Sequence, residues 1–155
     1  MGTESEGANG GGLHSNPMCR ENKQLVDDYM QALLRRFQGE AEELGRFLTE
    51  DVRWHLPQST ANLATASDPI GRQAVLDMLE GDVEKFYRPD TIQFEYFSLI
   101  AEGDRVHLHF SMRATTSSGR EYDNSYQTLF RLADGKIAEA WECLDTAYLF
   151  GLFQD

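Results

Sequence analysis

The sequence predicts an α+β fold in which helices come first and an antiparallel run of strands follows. Two patterns carry that expectation. Helical apolar spacing is confined to the chain before Pro89, and beyond it the pattern switches to alternation interrupted by hairpin-type turns. Such a segregated order indicates α+β rather than a parallel α/β arrangement. A third observation bounds the size: 155 residues, 41% hydrophobic, suit one domain with one core.

Each element has its own signal. From Glu21 to Gln38, Leu25, Val26, Tyr29, Met30, Leu33, Leu34 and Phe37 trace one face of a helix that Gly39 ends. A shorter helix is predicted over Ala41 to Leu48. In "VRWHLP", Val52, Trp54 and Leu56 alternate with Arg53 and His55, which reads as a short strand stopped by Pro57. A polar loop spans Gln58 to Asp68. From about Gly71 a further helix carries Ala74, Val75, Met78, Leu79, Val83 and Phe86 on one side until Pro89. The strands are "TIQFEYFSLIA", "RVHLHFSMRATT", "EYDNSYQTLFRLA" and "KIAEAWECLD", joined by "EGD", "SSGR" and "DG". The closing "TAYLFGLF" is apolar enough to pack back on the sheet.

Composition narrows the function. A net charge of −12 argues against nucleic acid or an anionic membrane as the main partner. No apolar run reaches transmembrane length. Two cysteines, Cys19 and Cys143, give neither a disulfide framework nor a zinc spacing, so a reduced, cytoplasmic setting is expected. The Gly-, Ser- and Asn-rich start has no signal-peptide pattern and reads as a disordered leader over residues 1–20, with a single domain over 21–155.

The stretches "YMQALLRRF", "FLTEDVRWHLP", "PIGRQAV" and above all "YQTLFRLADGKIAEAWECLD" resemble the nuclear-transport-factor-2-like superfamily, and within it the SnoaL-like polyketide-cyclase and ketosteroid-isomerase-related branch. The resemblance covers roughly Asn22 to Phe153. It implies a curved antiparallel sheet wrapped around the long N-terminal helix, a cone-shaped, cystatin-like α+β roll with a deep apolar pocket. It also implies a homodimer formed through the outer face of the sheet, to which the aromatic strand residues Phe97 and Trp141 lend weak support. The family's fold hosts many chemistries, so activity must come from the site.

The candidate catalytic residues are Glu142, Tyr29 and His109. Period-2 geometry puts Glu142 on a face with Ala138, Ala140 and Leu144, and the resemblance turns that face into the pocket. A carboxylate in an apolar cavity has a raised pKa, which suits proton transfer near neutral pH. The alternative is a solvated face or a structural ion pair. Tyr29 lines up with the long-helix tyrosine that donates to the oxyanion in ketosteroid isomerase; plain core packing is the alternative. His109 and His107 share a face with Ser111 and Arg113, which is either the pocket side or the convex side. Trp54, Leu56, Asn124, Tyr126, Thr128 and Leu144 are the candidate substrate-binding residues, with Asn124 and Tyr126 able to orient a carbonyl or hydroxyl. No third ligand joins the two histidines, so no metal site is expected, and no cofactor.

Departures from the family matter. The ketosteroid-isomerase general-base Asp falls on Leu56, and its second oxyanion acid falls on Thr128. The epoxide-hydrolase Asp-Arg-Asp set is not matched by "VHLHFSM". Steroid isomerisation and that hydrolysis are therefore not expected by those routes. The expected function is a cofactor-free isomerase, cyclase or dehydratase moving a proton on a small apolar carbonyl compound, polyketide- or terpenoid-like. The alternative is a non-catalytic ligand-binding or dimerisation module on the same fold.

Overall fold

In a computed structural model of the chain, residues 16–62, 68–81 and 83–153 are described. Helix α1 runs Pro17–Phe37. It begins where Asn16 Oδ1 accepts from the Met18 N–H at 3.0 Å, with proline at the first helical position, where its missing N–H costs nothing. Pro17 to Arg20 are thus helical rather than part of a leader, while the rest of the expected leader, residues 1–15, lies outside the described residues. Gly39, at φ +92°, ends the turn that closes the helix. The short helix expected next is reduced to a 3₁₀ turn, Leu44–Phe47, because so brief a segment cannot offset its nucleation cost.

Strand β1, Leu48–His55, starts earlier than the alternation in "VRWHLP" suggested. The polar loop opens with a 3₁₀ turn over Gln58–Asn62, and its residues 63–67 lie outside the described residues. The helix expected before Pro89 is described as α2 (Arg72–Gly81) and α3 (Val83–Phe86), with residue 82 between them outside the described residues. Strands β2 (Gln93–Glu102), β3 (Arg105–Thr115), β4 (Glu121–Ala133) and β5 (Lys136–Leu144) follow the predicted meander closely. Asp134 (φ 53°) and Gly135 (φ 70°) both have positive φ, as the type I′ turn between β4 and β5 requires. Helix α4, Thr146–Phe153, packs its Phe153 ring 5.1 Å from Phe86 and its Tyr148 ring 5.7 Å from Tyr122.

The sheet is five-stranded and not closed, in the order β1-β5-β4-β3-β2. β1 joins it parallel to β5, a long-range pairing that local patterning could not indicate. Register shifts at Phe97 in β2 and Ala138 in β5 are β-bulges, which bend the strands and help the sheet curve around α1. The inner face of β4 is a file of buried residues, Tyr122, Asn124, Tyr126, Thr128, Phe130 and Leu132. Val26, Tyr29 and Leu33 of α1 pack with it into one core.

Phe130 sits at the centre, with its ring edge-on to both Tyr29 and Trp54 at 6.1 and 6.0 Å. Phe130→Ala removes these ring contacts and leaves a cavity at the centre of the core, and should cost about 3–5 kcal/mol of unfolding free energy, measured by urea titration.

Candidate functional site

Position 142 faces inward because of the bulge. Leu132 pairs with Ile137 and Arg131 with Glu139, so Ala138 is an extra residue in β5. Beyond it Ala140, Glu142 and Leu144 fall on the inner face, opposite Phe130, Thr128 and Tyr126, and Glu139 and Trp141 fall on the outer one. Ile137 is inward as well, so both Ile137 and Ala138 are buried, which strict alternation forbids.

Trp54 of β1 and Glu142 of β5 meet across the parallel pair. The indole Nε1–H donates to Glu142 Oε2 at 2.9 Å. Among the described residues Oε1 has no hydrogen-bond partner. Burial raises the Glu142 pKa above its ordinary 4.5, and the Trp54 hydrogen bond partly opposes it by favouring the charged form. By area Glu142 is only half-buried, because part of it borders a cavity rather than another side chain.

That cavity holds about 150 Å³. α1 contributes Tyr29, Met30, Leu33 and Phe37; α2 and α3 contribute Met78, Leu79 and Val83, and Tyr87 follows α3; the sheet supplies the remaining wall. Glu142 is the only charged residue among the described lining residues. Tyr29 is 1% exposed, and its buried hydroxyl has no hydrogen-bond partner among the described residues. Burial, and then the nearby Glu142 charge, push that phenol up, so it remains a protonated donor. On the opposite wall, Tyr126 OH lies 2.6 Å from Tyr122 OH, and Tyr87 stands edge-on to Tyr122 at 4.8 Å. Burial raises these phenols too.

The structure brings together Glu142, Tyr29, Trp54, Tyr126 and Thr128 around one cavity. It does not bring His109 there. Leu108, Phe110 and Met112 take the inner face of β3, and His109 lies on the outer face, with Nε2 3.2 Å from Ser125 Oγ and its ring 4.9 Å from Phe97. The polar face of "HLHFSMR" is the convex one, which removes His109 from the catalytic set. Asn124 is 2% exposed and stands behind the cavity rather than in it, while Leu56 and Leu144 pack against the core without lining the cavity. His55 is outward as well, stacked on Trp141 at 5.3 Å with Nε2 2.8 Å from Glu139 Oε1. Among the described residues no three His, Cys, Asp or Glu side chains are placed to hold a metal.

Tyr87 was missed. A continuous helix through Val83 put Phe86 on the buried side and left Tyr87 beside it. Tyr87 lies four residues after Val83 and one after Phe86, so the spacing that marked those two already places it on their side. The inner aromatics Phe94 and Phe110 were legible as alternation but had no polar partner to mark them.

The SnoaL-like domain family matches residues 26–140. Among solved structures, the chain is similar to an NTF2-like protein of unknown function from Burkholderia pseudomallei K96243, with 22% identity, TM-score 0.71, and 87% of this chain and 98% of that one covered. It is similar to a protein from Jannaschia sp. CCS1 described as a SnoaL-like polyketide cyclase, with 20% identity, TM-score 0.69, and coverage of 93% and 99%. It is also similar to an LEH-like epoxide hydrolase from M. tuberculosis, with 15% identity, TM-score 0.65, and coverage of 87% and 90%. Identities this low establish the fold alone. Among curated proteins no sequence matches.

Two outcomes follow from the Glu142 environment. The folded state holds its proton more tightly than the unfolded chain, so the wild type should lose stability as pH rises from 4.5 through the raised value. Glu142→Gln lacks that loss. Its stability relative to wild type should climb across the same window and then level off, by about 1.4 kcal/mol per unit of upward shift, read from urea unfolding at several pH values. Trp54→Phe removes the donor that favours the carboxylate, so the Glu142 side-chain ¹³C resonance should titrate at higher pH than in wild type.

Proposed function

The chain belongs to the SnoaL-like domain family, and from that premise we propose that it is a cofactor-free proton-transfer catalyst, an isomerase, cyclase or dehydratase acting on a small uncharged carbonyl compound of polyketide or terpenoid type. One observation carries this reading: among the described lining residues a single carboxylate, Glu142, borders an otherwise uncharged and mostly apolar cavity, held by one indole N–H. Its raised pKa brings it closer to the working range of a general base or acid.

The chemistry divides between two kinds of group. Glu142 takes a proton from the carbon next to the ligand's carbonyl, the bonding pair moves into an enolate, and negative charge collects on the oxygen. A phenol on the wall, Tyr29 or Tyr126, donates a hydrogen bond to that oxygen. Glu142, now protonated, returns the proton to the same or another carbon of the conjugated system. Exclusion of bulk water strengthens both interactions. An apolar cavity of about 150 Å³ accommodates a benzene-sized molecule, which favours a single ring or a short chain over a fused polycycle.

Proton transfer has a direct assay that needs no knowledge of the natural substrate. Small ketones and enones incubated with the protein in D₂O should exchange their α-protons, as followed by ¹H NMR. Glu142→Gln should reduce that exchange by at least a hundredfold while the ligand still binds. Binding of the panel without any protein-dependent exchange would instead make the domain a ligand-binding module.

A further inference from the structure

Behind Tyr126 lies a run of buried polar groups that the proton transfer itself does not use. Asn124 Nδ2 stands 3.0 Å from the Asp145 carbonyl oxygen and 3.0 Å from Tyr122 OH. Tyr122 OH stands 2.6 Å from Tyr126 OH. Tyr126 borders the cavity, while Tyr122 and Asn124, at 1% and 2% exposure, do not.

The direction of this chain can be worked out from its far end. A backbone carbonyl only accepts, so the atom of Asn124 facing it must be the amide nitrogen. The same nitrogen faces Tyr122, so Tyr122 must accept there. An acceptor that is already engaged becomes a better donor, and hydrogen bonds in series polarise one another in one sense. Tyr87 also hydrogen-bonds with both Tyr122 and Tyr126, so the Tyr122 proton can go to Tyr87 or forward to Tyr126 at 2.6 Å; in the forward arrangement the Tyr126 proton is free to face the cavity. Tyr29 has no such support: its hydroxyl lies among aromatic rings with nothing to fix its rotation.

We infer that Tyr126 is the donor that holds a ligand's carbonyl oxygen, and that Asn124 and Tyr122 are positioning residues which fix the direction of its hydroxyl through the Asp145 carbonyl. This rests on the cavity taking a carbonyl compound, as proposed above, and adds that the ligand's oxygen must be an acceptor. A ligand presenting only a donor at that point would meet a proton facing a proton.

The probe is acetophenone, a single-ring ketone labelled with ¹³C at the carbonyl and observed by NMR in D₂O. On the full chain its carbonyl resonance should move downfield on binding, as it does when the oxygen accepts a hydrogen bond. Tyr126→Phe should abolish that shift and weaken binding about three- to tenfold. Asn124→Asp keeps the Tyr126 hydroxyl but replaces the donor with an acceptor. Tyr122 should then donate backward, Tyr126 should donate to Tyr122, and the downfield shift should be lost although every phenol remains. Should that variant not fold, Tyr122→Phe cuts the chain without adding charge and should leave a reduced shift. A shift that survives Tyr126→Phe, or one that Tyr29→Phe alone removes, overturns the assignment. Exchange of the methyl protons in the same tube separates the two ideas. Binding with a Tyr126-dependent shift and no exchange overturns the proton-transfer reading and leaves the donor standing. Exchange with a shift indifferent to Tyr126 does the reverse, and no binding overturns both.

Discussion

One extra residue in β5 decides which face of the sheet carries the acid. With Ile137 directed inward, strict alternation would place Glu139 and Trp141 inside and Glu142 outside. The bulge at Ala138 resets the phase, so that Ala140 and Glu142 follow Ile137 onto the inner face. The same reset sends Glu139 and Trp141 outward, where His55 and Arg131 bind the carboxylate at 2.8 and 3.1 Å and Arg105 lies over the indole. The cavity's charge and the outer face's ion cluster are thus two consequences of a single backbone irregularity, the kind of feature by which a bulge re-aims a side chain.

Two glutamates three positions apart on β5 then acquire opposite characters. Glu139, with a histidine and an arginine beside it, is held below the ordinary carboxylate range. Glu142, with one neutral N–H donor and apolar walls, is pushed above it. Among the described residues no cation offsets Glu142's burial, which is unfavourable if the only purpose is a stable core, since a well-packed apolar residue there would be better tolerated. The indole donor limits the penalty without removing it. A group kept at such a cost, bordering a cavity, is the pattern expected of a site that moves protons.

Much of this was legible. The spacing in α1, the alternation in β3 and β4 and the "DG" turn are local signals, and they marked the elements and the shared face from Tyr122 to Phe130, which the family resemblance turned inward. Counting along β5 put Glu142 on a face with Ala138, Ala140 and Leu144, and the family resemblance turned that face inward; the count remains valid for Ala140 and Leu144 because the bulge at Ala138 lies before them. What stayed hidden was non-local. Nothing near Trp54 indicates a parallel partner in β5, so the indole donor of Glu142 could not be named. The convex side of β3 was ambiguous because histidine suits either face, and only the buried Leu108, Phe110 and Met112 settle His109 as outward. Asn124 was recognised as inward-facing, but burial behind Tyr126 makes it a support rather than a ligand contact.

The placement of donors and acceptors also limits what can occupy the cavity. Its polar atoms are phenols, an indole already engaged, a threonine hydroxyl and one carboxylate; among the described lining residues there is no cation. An anionic ligand would give up its hydration and meet Glu142 with no compensating charge, a cost that phenol hydrogen bonds cannot repay in so apolar a space. A neutral ligand has no such penalty. Its apolar body replaces empty volume against Met30, Leu33 and Phe110. Its oxygen is satisfied at a hydroxyl, a phenol or that of Thr128, because the rest of the described lining is hydrocarbon, aromatic face, the engaged indole or carboxylate. Orientation therefore comes from one polar end and an otherwise featureless pocket, and in the proposed reaction whichever carbon this leaves beside Glu142 is the one whose proton moves.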